Sequence, residues 1–159
     1  MLEKAGRGLY KLSEAEISTF HNLALAAKKI PKGVICLISA LSFHELTTQI
    51  PLATWIAIEE KARRPVLAGI KLRVVRYSRN ALMKGVKEYQ IEGVPVKITI
   101  PARTVADCFK YRNKIGLDIA LEALKEGLRD RRFTRDELWH YTTLNRVSNV
   151  IRPYLESVT

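Results

Sequence analysis

Little in this chain is equipped for redox, metal or nucleophilic chemistry. Cysteine occurs twice, at Cys36 and Cys108, and histidine three times, at His21, His44 and His140. Neither cysteine has a second cysteine or a histidine at ligand spacing, so both read as small buried hydrophobes rather than as thiol nucleophiles or ligands. The histidines fall on three separate expected helices, without the one-turn pairing a zinc site would use. No metal site and no cofactor is expected. His44 beside Glu45 has the makings of a proton shuttle, but a hydrogen-bonded core or rim histidine is the simpler reading. No glycine is followed by a Lys-Ser or Lys-Thr pair, which excludes a phosphate-cradling loop, and no Gly-x-Ser-x-Gly elbow is present. Aspartate is missing from the whole first half: the first is Asp107. No apolar run approaches the roughly 20 residues that span a bilayer. The longest, 33–43, is broken by Ser39 and Ser42, and no membrane contact is expected. Residues 1–11 carry Glu3, Lys4, Arg7 and Lys11 without an apolar stretch behind them, which is not a secretory signal. The expected compartment is the cytoplasm.

What is abundant is positive charge. Lysine and arginine total 27 against 16 acidic residues, a formal net charge of +11. Such an excess draws polyanions or acidic partner surfaces through long-range attraction. An apolar fraction of 47% in 159 residues is enough for one folded domain with its own core.

The order of elements predicts an α+β fold: a small antiparallel or mixed sheet packed by helices, with helices first and last. Gly6-Arg-Gly-Leu-Tyr10 reads as a turn entering a short strand. Ser13 and Glu16 form a capping box for a helix to about Lys29, with Ile17, Phe20, Leu23 (or Ala24) and Ala27 on its apolar face. A second, buried helix is expected over 33–46. The period then becomes strand-like: 54–58, 72–77, 86–91 and 94–100, the last two joined at Glu92-Gly93 as a hairpin. Pro95 implies that the hairpin lies at an edge or begins after that residue. Pro101 opens a helix to about Asn113, ended by Gly116. Leu117, Leu121, Leu124 and Leu128 form the stripe of the next. Thr134 with Glu137 caps another, and a final helix over about 145–151 is kinked or ended by Pro153.

Three runs of basic residues stand out. Lys61, Arg63, Arg64, Lys71, Arg73, Arg76 and Arg79 lie in one stretch with no acid between them. Arg103, Lys110, Arg112 and Lys114 form a second run, and Arg129, Arg131, Arg132 and Arg135 a third. Arginine grips phosphate or carboxylate with two parallel N–H groups, which gives geometry as well as charge. The candidate nucleic-acid or partner contacts are therefore Arg63, Arg64, Arg73, Arg76, Arg79, Arg103, Lys110, Arg112, Arg131 and Arg132. Tyr77 and Tyr111, interleaved with them, could stack on a base or pack at an interface. Asp107 stands one helical turn after Arg103 and one before Tyr111, a spacing that suits a structural ion pair better than catalysis.

One enzymatic pattern competes. Glu59-x-Lys61 at a strand end matches the short signature of a metal-dependent nuclease. That chemistry needs a second carboxylate to hold the metal, and only Glu45 stands shortly upstream.

Taken together, several stretches resemble the AbiEi family of antitoxin-type transcriptional regulators. They are Gly6-Arg-Gly-Leu-Tyr10; Ile35-Cys-Leu-Ile-Ser-Ala-Leu41 with His44, Leu46-Thr47-Thr48 and Pro51; Trp55-Ile-Ala57; Arg73-Val-Val-Arg-Tyr77; Gly85; and Ile91-Glu-Gly-Val94. The likeness continues through Pro101-Ala-Arg-Thr-Val-Ala-Asp-Cys-Phe109, Arg112-Asn-Lys-Ile-Gly116, Glu122-Ala-Leu124 and Arg152-Pro-Tyr-Leu-Glu156. The Pro-x-Arg-Thr-x-x-Asp helix is the most specific piece. The resemblance implies a cytoplasmic antitoxin of a type IV toxin–antitoxin system. Such proteins antagonise a nucleotidyltransferase-like toxin, without a stable complex, and can repress their own operon. It assigns no catalytic residues. Family members carry a winged helix-turn-helix ahead of this region. Residues 1–12 are accordingly expected to be the remnant of its wing strand, and 13–159 the C-terminal effector domain.

Overall fold

A computed structural model describes residues 13–158. The wing-strand remnant expected at 1–12 lies outside them. Among these residues the architecture is α+β: eight helices around a five-stranded mixed sheet, ordered β3-β2-β1-β5-β4.

Local chemistry sets the first helix. In α1 (Glu14–Lys29) the Ser13 hydroxyl accepts from the Glu16 N–H at 3.1 Å, and the Glu16 carboxylate accepts from the Ser13 N–H at 3.0 Å. Each of two otherwise unpaired N–H groups gains a partner, an arrangement worth about 1 kcal/mol. The buried face is Phe20, Leu23, Ala24 and Ala26, whereas Ile17 stands about half exposed. The apolar face is thus rotated relative to the one expected through Ile17 and Ala27.

The helix expected over 33–46 divides in two. Val34–Ile35 form β1, and only Leu37–Phe43 form a helix, α2. A short apolar run fits a buried strand as well as a buried helix, so periodicity could not separate them. The tertiary position decides: β1 lies between β2, to which it is antiparallel, and β5, to which it is parallel. Gly33 permits this approach, because a Cβ there would sit 2.5 Å from the Ile56 Cδ1. The chain then turns into α2 through Leu37 at φ 49°, a left-handed conformation costly for leucine.

Strand β2 (Thr54–Glu59) pairs in parallel with β3 (Leu72–Tyr77). Strands β4 (Val86–Ile91) and β5 (Val94–Thr99) form the expected hairpin, turning at Glu92 and Gly93 with φ of 52° and 77°. Two positive φ values suit a two-residue turn matched to strand twist. Pro95 opposes Gln90 one pair beyond the closing Ile91–Val94 pair. Hydrogen-bonded and non-bonded pairs alternate in such a ladder, so the missing N–H of Pro95 costs no bond to β4. The hairpin lies at the sheet edge, as one of the two readings had it, with β4 outermost; it begins before Pro95, which sits in β5, and β1 meets β5 further along, at Ile98.

Between β3 and β4 lies α3 (Arg79–Leu82). After β5 come α4 (Pro101–Lys110), α5 (Arg112–Ile115), α6 (Leu117–Arg129), α7 (Arg135–Leu144) and α8 (Ser148–Ser157). Thr134 and Glu137 cap α7 as expected. Gly116, at φ 101°, separates α5 from α6. In α6 the buried positions are Ile119, Ala120, Ala123, Leu124 and Gly127, so the leucine stripe is only partly the core face. The last helix starts and ends later than expected and continues through Pro153 to Ser157.

The sheet separates two cores. Alpha helix α1 covers one face, where Phe20, Leu23 and Phe43 meet Ile35, Ile56 and Ile98. On the other face Trp55, Ala57, Val75 and Tyr77 pack with the C-terminal helices. Helix α4 is the centre of that layer, touching α2, α6 and α7. Its residues from Ala102 to Phe109 are all buried. Among the described residues no helix is long and apolar enough to cross a membrane.

Candidate functional site

Because β3 is pleated, its neighbouring arginines diverge. Arg73 shares a face with Val75 and Tyr77, toward the C-terminal helices; Arg76 falls on the face of α1. A continuous basic stretch in the sequence is therefore not one basic surface.

On the first face, three cations meet. Arg64 from the β2–β3 loop, Arg73 from β3 and Lys114 from α5 line a groove of about 430 Å³, together with Trp55 and Asn113. All three cationic residues are exposed. The Arg73 guanidinium lies 5.2 Å from the Trp55 ring centroid, a cation–π contact that holds it over the groove floor. Among the described residues none of the three is paired with a carboxylate. Lys114 belongs to a different basic run from Arg64 and Arg73 and lies outside the ten candidate contacts; only the fold brings it to the same groove.

The other candidates divide by what they touch. Arg76 is engaged internally: its Nη1 donates to the carbonyls of Glu60 at 2.9 Å and Ala62 at 2.6 Å, tying down the loop after β2. Arg79 is 86% exposed and lies 3.6 Å from the Glu59 carboxylate. Arg112 donates to the Phe109 carbonyl at 2.8 Å. Arg132 donates to the His44 carbonyl, joining the α6–α7 junction to the end of α2. Arg63 and Arg131 are exposed in loops, and neither lines the groove. Lys110 holds its ammonium 4.6 Å from the Tyr77 ring centroid and 5.6 Å from that of Tyr111.

Arg103 departs most from expectation. It is 3% exposed and cannot reach a surface phosphate backbone. Its Nε donates to Asp107 at 3.2 Å, and its Nη1 to the carbonyls of Leu82 and Lys84 at 2.7 and 2.6 Å. Its guanidinium also lies 4.9 Å from the Tyr77 ring centroid. Asp107 is completed by the Asn145 amide at 2.8 Å. Burial pushes the Asp107 carboxyl above its ordinary value, and Arg103, then Asn145, pull it back. Tyr77 faces Asp107 and Tyr111, but its buried hydroxyl closes no hydrogen bond within ordinary reach. Of the two rings expected to stack on a base or pack at an interface, Tyr77 is buried, and half-buried Tyr111 packs edge-on against it, centroids 6.1 Å apart.

The structural reading of the Pro-x-Arg-Thr-x-x-Asp helix follows. Pro101 occupies the first turn, where its missing N–H costs nothing. Thr104 donates to the Ile100 carbonyl at 2.8 Å and lies 2.6 Å from the Thr99 hydroxyl. Arg103 and Asp107 then form the buried pair.

The nucleophile and metal candidates are also placed. Cys36 and Cys108 are fully buried, and burial drives both thiols well above their ordinary value, which makes thiolate chemistry unfavourable. His44 is buried, its Nε2 2.7 Å from the Thr99 carbonyl. Among the described residues no three His, Cys, Asp or Glu side chains gather as a metal-binding group.

Fold and site together define, among the described residues, an α+β scaffold with an open cationic groove and a separate buried arginine–aspartate pair. No known family model and no curated protein sequence matches the chain.

Proposed function

We propose that this chain is a non-catalytic regulatory protein of the antitoxin type, acting in the cytoplasm and binding a polyanion through Arg64, Arg73 and Lys114. One observation carries the binding half: three cations from separated segments converge on one groove, and among the described residues no carboxylate pairs with them. In water such convergence is repulsive, and an anionic partner relieves it. The antitoxin half rests on the AbiEi resemblance, strongest in the Pro101–Asp107 stretch. Its natural antagonist is then a nucleotidyltransferase-like toxin, opposed with or without direct contact, and DNA is the natural polyanion.

Two experiments separate these halves. A gel-shift series over salt should give log affinity falling linearly with log salt, by about 0.9 for each phosphate neutralised. No binding at any salt ends the DNA half. Co-expression with the nucleotidyltransferase toxin should restore growth; continued arrest ends the antitoxin half. The nuclease reading gains no support: Glu59 is engaged by Arg79, and among the described residues no group of three His, Cys, Asp or Glu side chains forms around it.

A further inference from the structure

We infer that the groove of Arg64, Arg73 and Lys114 also takes an extended segment of a protein partner, of alternating acidic and apolar residues, added as a further strand against β3. The assignment rests on the reading that this groove binds an anion, and adds a protein class to it. Strand β3 ends the sheet order, and among the described residues it pairs with β2 alone. The Thr54 N–H donates to the Lys71 carbonyl at 2.8 Å, and the Glu60 N–H to the Tyr77 carbonyl at 2.9 Å. The odd-numbered residues of β3 thus turn their backbone groups toward β2. Sides alternate along a strand, which sends the N–H and C=O groups of Leu72, Val74 and Arg76 outward. Among the described residues these outward groups have no hydrogen-bond partner. A row of unpaired backbone groups is a template for another strand.

The cationic groove lies along this template. Arg73, Val74 and Val75 all line it, although the Val74 side chain belongs to the opposite face. A groove that meets three successive residues follows the strand rather than one side chain. The partner's chemistry comes from the two faces of β3. On the groove face an added strand meets Arg64, Arg73 and Lys114, which call for carboxylates. On the other face it meets Leu72 and Val74, both half-buried at the margin of the α1 core, which call for apolar side chains. Main-chain bonds then give affinity, and the alternating side chains give specificity.

Other occupants fit less well. DNA offers phosphates to the three cations but has no amide row, so the edge of β3 stays unused. A second copy of the chain would bring its own β3 arginines against Arg73, a like-charge pairing that edge arginines discourage. Residues 1–12 carry Lys4, Arg7 and Lys11 against Glu3 alone, the wrong sign for this groove. The opposite edge strand, β4, borders a groove in which Glu88 and Glu92 stand beside Lys28 and Lys97, so no excess of positive charge selects an acidic strand there.

The test uses the full chain and a capped peptide alternating glutamate and valine, matched to the 6 residues of β3. Two further forms carry backbone N-methyl groups, one on the glutamates and one on the valines. Duplex DNA is a separate probe, and a lysine–valine peptide is the charge control. Amide hydrogen exchange is followed by NMR. At a peptide concentration about ten times its dissociation constant, exchange at Leu72, Val74 and Arg76 should slow about tenfold. One N-methylated form should lose binding and the other keep it, because only alternate N–H groups of an added strand face β3. The lysine peptide should not bind. DNA binding without peptide binding would overturn strand addition and leave the anion-binding reading standing. So would peptide binding that leaves the three amides unprotected, or equal effects of the two N-methylated forms. Peptide binding with protected amides but no DNA binding would support the added strand and remove only DNA. Binding of neither probe would remove both readings.

Discussion

Arg103 and Asp107 stand one turn apart on α4, Nε 3.2 Å from Oδ2, with 4% and 0% of their side chains exposed. The pair lies at the meeting point of the sheet and the C-terminal helices. A buried pair of this kind adds little net stability, since desolvation offsets attraction, but breaking it leaves one buried charge unmatched.

Asp107→Ala should therefore cost about 3–5 kcal/mol in urea unfolding. Arg103→Met combined with Asp107→Leu should cost less than the two single changes added together, because the double variant leaves no unmatched charge. The shortfall from additivity should exceed about 1 kcal/mol, as for groups in one network. Strict additivity in the double-mutant cycle would show that the two residues do not act as a pair.

High pH tests the same region. Burial is the main cause raising Cys36, Cys108, Tyr77 and Tyr111 above their ordinary values, and Asp107 adds to it for each of them. An acid whose folded value is raised binds its proton more tightly when folded, so its stabilising effect is lost as pH climbs past the unfolded value. For the thiols that value is 9.0 and for the phenols 10.0. Stability should decline from about pH 9 upward. Tyrosinate absorbance from Tyr77, identified by its loss in Tyr77→Phe, should appear only with the loss of near-UV circular dichroism. Its appearance in the folded protein would contradict the burial argument.

What could be read from the sequence was what neighbours in the chain decide. Ser13 with Glu16, Thr134 with Glu137, and the Glu92-Gly93 turn each act over three residues or fewer, and all three stand as expected. The one-turn spacing of Arg103 and Asp107 was legible too, as a structural pair. Its burial was not, since that depends on Leu82, Lys84 and Asn145 arriving from elsewhere. Strand β1 was hidden for the same reason. Two apolar residues become a strand only because β2 and β5 flank them. The basic run from Lys61 to Arg79 was visible as composition, but its division between two faces and a loop is a product of the pleat.

Gly127 tests the packing of α6. A Cβ there would lie 2.3 and 2.4 Å from the Cε2 and Cζ atoms of Phe133, a buried ring with little room to move. Alanine gains about 1 kcal/mol over glycine from helix propensity. Overpacking a filled core costs roughly 1–3 kcal/mol, so the steric effect should win. Gly127→Ala should lower the unfolding temperature, and adding Phe133→Leu should recover part of the loss. A more stable Gly127→Ala protein would mean that the α6–α7 junction is looser than its contacts indicate.

Arg73 and Arg76 provide the sharpest test of the groove, since they share a strand but not a face. Arg73 lies over Trp55 at the groove, while Arg76 spends its donors on the carbonyls of Glu60 and Ala62. Arg73→Ala should weaken polyanion binding and reduce the salt slope by about 0.9, the share of one phosphate. Its effect on stability should stay near 0.5 kcal/mol, as for most exposed positions. Arg76→Ala should do the reverse. Two carbonyls lose their donor and the β2–β3 loop loosens, which costs about 1–2 kcal/mol, while the salt slope is unchanged. Arg64 lies in that loop, so affinity should fall only modestly, through a less ordered groove. Equal loss of salt slope in both variants would place the anion across both faces of β3, and the groove would then not be the site.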